Sequence, residues 1–284
     1  MKVKAYAKVN LCLDVIRRKE NGYHDLEMIM VPIDFYDVID IEVSKEMKLE
    51  SSAGFLPVDS RNTMVKAIEL LREAYQFKEN FCIYLTKHIP TQAGLAGGST
   101  DAASVIVAVN NLLKLNMSQE EMMAIGKKVG SDVPFFIIHE AAVVKGEGEI
   151  IEPFTINTDF YLLLVKPRKG VSTKLAFEGL DFNKALHPNV KQMKDDLIQN
   201  NYQNFIQGLV NTLEEPSIRL VPEIKKIKDD LIKFGMDGCL MSGSGSTVFA
   251  VTRSKATMQK ANDVLRKKGH FVRMTRILKE KKNT

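Results

Sequence analysis

Along residues 3–15 the apolar side chains fall on alternate positions: Val3, Ala5, Ala7, Val9, Leu11, Leu13 and Val15. A period of two predicts a half-buried strand. The even positions then share the other face, so Lys8 and Asn10 point the same way, one pleat apart. Strand-like segments follow at 28–33 and 38–43. From Asn62 the period lengthens, and Met64, Ile68, Leu71 and Tyr75 form one stripe of a helix. Residues 80–86 return to a strand. A glycine-rich loop over 90–100 then runs into a helix at 101–113. Ser118 with Glu121 reads as a capping box opening a second helix that ends near Gly130. A tight connection at 131–134, a strand at 135–139 and a hairpin built from 141–144 and 149–152 complete this half.

The polar, proline-containing stretch 152–159 marks a division, giving domains at 1–155 and 156–284. The second half opens on a buried strand at 160–166. Helical patterns follow at 189–199, 202–213 and 222–234, the last closed by Gly235. A strand at 238–241, a Gly/Ser turn at 242–246 and a strand at 247–251 come next. A helix at 254–268, closed by Gly269, and a strand at 270–278 finish the chain. The predicted class is α+β in two domains, the second compatible with a βαβ-rich, ferredoxin-like arrangement.

Composition narrows the picture. The 284 residues are 45% hydrophobic and 26% charged, which excludes disordered and fibrous classes. The net charge of +5 is mild for a dedicated nucleic-acid binder. Much of the excess lies late, at Arg266, Lys267, Lys268, Arg273, Arg276, Lys279, Lys281 and Lys282, and reads as a solvated face and tail. Cys12, Cys82 and Cys239 are widely spaced, which argues against a disulfide framework or a zinc site and for a reducing cytoplasm. Charged residues interrupt the first apolar positions, so a signal peptide is not expected. The apolar runs are too short to span a bilayer.

Four places carry candidate chemistry. The loop Pro90, Thr91, Gln92, Ala93, Gly94, Leu95, Ala96, Gly97, Gly98, Ser99 and Thr100 feeds a helix N-terminus, where free N–H groups and the dipole favour an anion. Its glycines allow close backbone approach, and Ser99 and Thr100 add hydroxyls for a phosphate oxygen or a Mg²⁺ shell. The spacing is neither a Walker A motif nor a Rossmann fingerprint, and protein-kinase signatures are absent. Lys8 beside Asn10 is the second place and Asp132 the third. Singly, a strand lysine is a solvent-facing residue and an aspartate after a helix a turn former. Together they meet the needs of alcohol phosphorylation, in which a carboxylate accepts the hydroxyl proton and an ammonium orients it. The fourth place, Gly22-Tyr23-His24, is either a turn with a packed tyrosine or an aromatic surface and imidazole for a flat ring.

The 90–103 segment, with Met241-Ser-Gly-Ser-Gly-Ser-Thr247, resembles the two glycine motifs of the GHMP small-molecule kinases. The segments around Lys8, Tyr23, Asp132 and Gly170-Val-Ser-Thr173 narrow the resemblance to the branch acting on a methylerythritol linked to cytidine diphosphate. The resemblance implies an N-terminal domain like ribosomal protein S5 domain 2, a ferredoxin-like C-terminal domain and a cleft between them. It implies ATP and Mg²⁺ as cofactors. The γ-phosphoryl group would go to the 2-hydroxyl of the substrate, in non-mevalonate isoprenoid precursor biosynthesis. It implies Asp132 as base with Lys8 as partner, residues 90–100 on the ATP phosphates, and Asn10, Tyr23, His24, Thr173 and Phe177 on the substrate. Phe177 and Tyr23 would take opposite faces of the cytosine. No metal ligand is assigned, and neither a nucleic-acid nor a membrane partner is expected. The chain departs from the family pattern at Tyr6, where proline is common, at Asn21, where aspartate is usual, and at Ala96, where glycine is usual.

Two other readings share these residues. A mevalonate- or homoserine-type kinase would keep the fold and make Tyr23 and His24 packing residues. An RNA-binding S5-like protein would use the basic C-terminus and show salt-dependent affinity. The remaining histidines His88, His139, His187 and His270 stand in no metal-ligand spacing. Glu147 and Glu149, in a glycine hairpin, read as a brace or as neighbours of the phosphates.

Overall fold

A computed structural model describes residues 1–279 of the chain. Six strands form the first sheet: β1 (Lys2–Arg18), β2 (His24–Ser44), β3 (Lys48–Ser51), β4 (Asn80–Thr86), β5 (Ala142–Gly146) and β6 (Ile150–Pro153). The order is β3-β4-β2-β5-β6, with β1 pairing β2 along most of its length. The two strands expected at 28–33 and 38–43 are one continuous β2. Asp34 and Asp37 interrupt the apolar pattern, but Asp37 is fully buried and accepts bonds from the His88 and Ile89 N–H groups and from Lys87. A satisfied buried carboxylate does not break a strand.

β1 departs from strict alternation. Its register against β2 shifts between Tyr6 and Lys8 and again between Asn10 and Cys12. Each bulge moves the following side chains to the other face. Val3, Ala5, Leu13 and Val15 therefore join a core with the helix residues Met64, Val105 and Val109. Ala7, Val9 and Leu11 join a second core with Leu162, Leu164 and Phe249. The strand is buried on both faces through its middle, not half-buried as its period predicts. Lys8 and Asn10 lie between the two bulges and so still share a face.

Helices α1 (Thr63–Tyr75), α2 (Gly97–Leu113), α3 (Gln119–Val129) and α4 (Val133–Ile138) accompany this sheet. Asn62 caps α1 by accepting from Met64 N–H, and Ser118 and Glu121 form the expected capping box on α3. α2 begins four residues before the expected start, so Gly97 to Thr100 are its first turn. The stretch expected as a strand at 135–139 is helix α4. Its apolar run is buried throughout, and a buried run has no period to separate strand from helix. Pro134 in the first turn favours the helix.

The second sheet holds β7 (Tyr161–Lys166), β8 (Gly238–Met241), β9 (Val248–Thr252) and β10 (Phe271–Arg276), in the order β10-β7-β9-β8 with every pairing antiparallel. Helices α5 (Thr173–Glu178), α6 (Val190–Gln199), α7 (Tyr202–Gln207), α8 (Glu214–Leu220) and α9 (Glu223–Lys233) lie between β7 and β8, and α10 (Lys255–Lys267) between β9 and β10. This is the strand order of a ferredoxin-like unit. The helix expected over 202–213 stops at Gly208. Residues 210–212 instead run beside β1, where Leu13 N–H donates to Val210 O and Thr212 N–H to Leu13 O. The second core, with Ile29, Val31 and Ile33 facing Leu162, Leu164 and Val251, joins the two sheets.

No helix among the described residues is long and apolar enough to cross a membrane. Of the late basic residues, Lys268, Arg276 and Lys279 pair with Asp230, Asp34 and Asp159. Lys281 and Lys282 lie outside the described residues.

Candidate active site

The bulged middle of β1 brings Lys8 to the wall of a cavity of about 1000 Å³. Its ammonium donates to Asn10 Oδ1 at 2.6 Å and stands 3.9 Å from Asp132 Oδ2. Only 5% of the lysine side chain is exposed, against 30% of the aspartate. Burial lowers the Lys8 pKa, and the Asp132 carboxylate acts against that shift. Asp132 sits at the N-terminus of α4 without capping it. Its carboxylate is therefore free of the usual helix-capping task. Asn10 is fully buried and is fixed on both sides: its N–H donates to Ser242 Oγ and its amide to the Met28 sulfur.

The two glycine-rich segments meet across the cavity. Ser242 Oγ donates to Gly94 O, Thr247 N–H to Ala93 O, and Lys8 N–H to Leu95 O. Gly94 has φ +71°, and a Cβ there would stand 1.9 Å from Ser242 O. The approach requires glycine for both reasons. Ala96 has φ +55° and ends the loop in the left-handed region. The conformation is an uncommon one for alanine. No side chain caps α2 at this end, so the first N–H groups of the helix remain available to an anion.

Of the loop, Pro90 to Gly94 and Ala96 to Gly98 line the cavity. Leu95 is buried in the second core and contributes its carbonyl to Lys8. Thr100 is 2% exposed inside the first turn of α2 and does not line the cavity. Ser99 is the more accessible of the two hydroxyl residues.

Beneath the loop lies an ion cluster that the sequence pattern does not announce. Lys87 Nζ bonds Asp37 Oδ2 at 2.5 Å and Asp101 Oδ2 at 2.6 Å, all three side chains being buried. A Cβ on Gly97 would sit 3.0 Å from Lys87 Nζ, so the cluster supports the start of α2 directly. Burial and then the neighbouring Asp37 push the Asp101 carboxyl up to about 8 against the pull of Lys87. Asp101 Oδ1 has no hydrogen-bond partner. Two carboxylates converging on one lysine are invisible in sequence because β2, the end of β4 and α2 each supply one member.

At the other end the cavity is aromatic. The His24 ring lies 4.5 Å from that of Phe177 and 6.4 Å from that of Phe182. Burial, and then Arg18, lowers the His24 pKa, which keeps the imidazole neutral at pH 7. Tyr23 also lines the cavity and is 63% exposed. Thr173 Oγ1 meets Ser244 Oγ at 2.8 Å, joining α5 to the second glycine motif. Thus Lys8, Asn10, Tyr23, His24, Asp132, Thr173 and Phe177 border one space. Phe182 and Ser244 also line it: a lone phenylalanine in a loop has no local signature in sequence, whereas Ser244 stands inside the second glycine motif. His187 pairs with Asp14 and His270 with Glu223, away from the loop. Among the described residues no group of three histidine, cysteine or acidic side chains is placed to hold a metal ion.

The family described as GHMP kinases N terminal domain matches residues 62–140, and GHMP kinases C terminal matches residues 185–270. A 4-diphosphocytidyl-2-C-methyl-D-erythritol kinase of Clostridium beijerinckii is 39% identical over 98% of this chain and 100% of its own. One from Shouchella clausii is 39% identical over 93% of this chain and 90% of its own. A crystal structure of 4-(cytidine 5'-diphospho)-2C-methyl-D-erythritol kinase superposes with a TM-score of 0.83 at 29% identity, covering 98% of this chain and 99% of the other. A homoserine kinase from Cytophaga hutchinsonii gives a TM-score of 0.79 at 20% identity, covering 99% and 95%, which shows a shared fold.

Proposed function

We propose, from the premise that this chain belongs to the GHMP kinases and within them to the 4-diphosphocytidyl-2-C-methyl-D-erythritol kinases, that it transfers the γ-phosphoryl group of ATP to the 2-hydroxyl of that cytidine diphosphate compound. The observation that carries the reading is the single cavity. Its lining includes an uncapped helix N-terminus, a lysine–aspartate pair and an aromatic group. Those are the needs of a phosphate donor, an alcohol acceptor and a flat base.

The Asp132 carboxylate accepts the hydroxyl proton as the oxygen attacks. Lys8, held by Asn10, faces that carboxylate and the charge that develops on the transferring group. Its burial strengthens the interaction, because less water screens it. The backbone N–H groups at Gly97 and Gly98 receive the phosphates. Where Mg²⁺ is bound with the nucleotide it would neutralise phosphate charge, and Asp132, which lines the cavity, is an oxygen donor that would hold it. Phe177 and Tyr23 receive the cytosine, and the neutral His24 ring offers it a hydrogen bond. We place the division between the ATP-binding and C-terminal domains at 155/156. Three free cysteines suit a reducing cytoplasm.

A coupled ADP-release assay with Mg-ATP tests the reading, offering 4-diphosphocytidyl-methylerythritol, mevalonate and homoserine separately. Turnover is expected with the cytidine compound alone. Turnover with mevalonate or homoserine instead would overturn the assignment of the aromatic end.

A further inference from the structure

The register of the first sheet brings the tip of the β5–β6 hairpin beside the β1–β2 turn. Arg18 pairs with His24 across that turn, and Leu26, two residues further along β2, pairs with Gly146. Residues 19–23 and 147–149 therefore emerge together at one edge of the cavity. At their junction Glu147 Oε1 accepts two bonds of 3.0 Å, from Lys19 Nζ and from Asn21 Nδ2. Asn21 Oδ1 in turn accepts from Tyr23 N–H, and Lys19 N–H donates to Tyr23 O. The turn is thus bonded to Tyr23 at both backbone groups and to Glu147 at both side chains.

The tip itself is anchored. Glu147 N–H donates to Glu149 Oε2, and Gly146 and Gly148 hold φ of +71° and +114°. A Cβ on Gly148 would approach the carbonyl oxygen of Ser131, the residue before Asp132, to 3.0 Å. The hairpin tip consequently touches both the turn that carries Tyr23 and His24 and the connection that carries Asp132. Tyr23 is mostly exposed, so little apolar packing holds it. Its placement depends on the polar bonds.

We infer that Glu147 is a positioning residue for Tyr23, acting through Asn21 and Lys19 to set affinity for the cytidine-bearing substrate. The inference rests on the reading of Tyr23 and His24 as the base-recognition turn. It also accounts for asparagine at position 21. An aspartate there would oppose the Glu147 carboxylate at the same 3.0 Å separation, with two like charges sharing Lys19.

The test is a single variant and its second-site rescue on the full chain. Asn21→Asp is expected to raise KM for the cytidine substrate about fivefold, the size of a coupled polar contact, while kcat and KM for ATP change less than about twofold. Adding Glu147→Gln lets the new amide donate to the carboxylate introduced at position 21, with the polarity of the bond reversed. KM is then expected to return to within about twofold of the parent. An unchanged KM in Asn21→Asp, or a double variant no better than the single one, would overturn the inference. Melting curves of each variant report folding separately. Tyr23→Ala in the same assay distinguishes the two levels. If it leaves KM unchanged, the recognition reading fails and the inference falls with it. If it raises KM while Asn21→Asp does not, the inference alone fails.

Discussion

The ammonium of Lys8 stands 3.9 Å from the carboxylate of Asp132, yet its shorter bond, 2.6 Å, is to Asn10. Asn10 therefore fixes the lysine and leaves one face of the aspartate open toward the cavity.

Asp132→Asn removes the proton acceptor while keeping its volume. Turnover is expected to fall by about 10²–10⁴, with ATP binding retained in an equilibrium titration. Near-normal turnover would refute the base assignment.

Lys8→Met keeps the aliphatic stem and removes the charge. The expected loss in kcat is at least about tenfold, with a smaller change in KM for ATP. Removing a buried charge whose pKa is already lowered offsets part of the cost of leaving the buried Asn10 Oδ1 without its donor, so the melting temperature is expected to fall by no more than a few degrees. A large loss of stability with normal kcat would make Lys8 a structural residue.

Gly94→Ala forces a methyl group toward Ser242 O at a positive φ. The two glycine motifs must separate to admit it. A destabilisation of about 2 kcal/mol or more and a raised KM for ATP are expected, measured by thermal melting and steady-state kinetics. Equal ATP affinity in the variant would show that the apposition does not shape the phosphate site.

Asp101 gives a pH signature. Its carboxyl, pushed up to about 8 by burial and by Asp37, holds a proton in the folded chain that the unfolded chain releases near 4. Its contribution to stability is thus complete at acid pH and is lost as pH rises toward 8. Asp101→Asn mimics the protonated form and can still accept from Lys87. The melting temperature of the variant relative to the parent is expected to climb by a few degrees between pH 5 and 8. Parallel curves across that window would show that Asp101 does not carry this proton.

Phe177→Leu removes the ring that lies against His24 at 4.5 Å. KM for the cytidine substrate is expected to rise about three- to tenfold, the worth of one aromatic contact, while KM for ATP stays constant. Competition by free CDP should weaken in parallel. An unchanged inhibition constant for CDP would remove Phe177 from the recognition site.

The contrast between β1 and the 90–100 loop shows what could be read in advance. The loop was legible because its requirements are local: glycine where φ is positive or backbones touch, and a helix start immediately after. The caps at Ser118 and Gly235 were legible for the same reason. β1 has an equally clear period, yet the period misled. Its odd residues occupy two different cores, because bulges opposite β2 exchange the faces at Tyr6–Lys8 and Asn10–Cys12. A bulge is a property of a pair of strands, and one strand's sequence does not record it.

The same division holds for the site. Sequence alone determined the chemical inventory: a glycine-rich loop before a helix, a lysine in a strand, an aspartate after a helix, a tyrosine and histidine in a turn. Each is a short segment whose residue types answer to its own backbone. Tertiary structure alone decided what those residues face. It turned residues 133–138 into a helix with Asp132 at its head. It assembled Lys87, Asp37 and Asp101 from three elements beneath the loop, set Phe182 beside His24, and seated Glu147 against the turn of Tyr23. These contacts join segments far apart in the chain, and their energies depend on burial and distance, quantities that exist only once the sheets have packed.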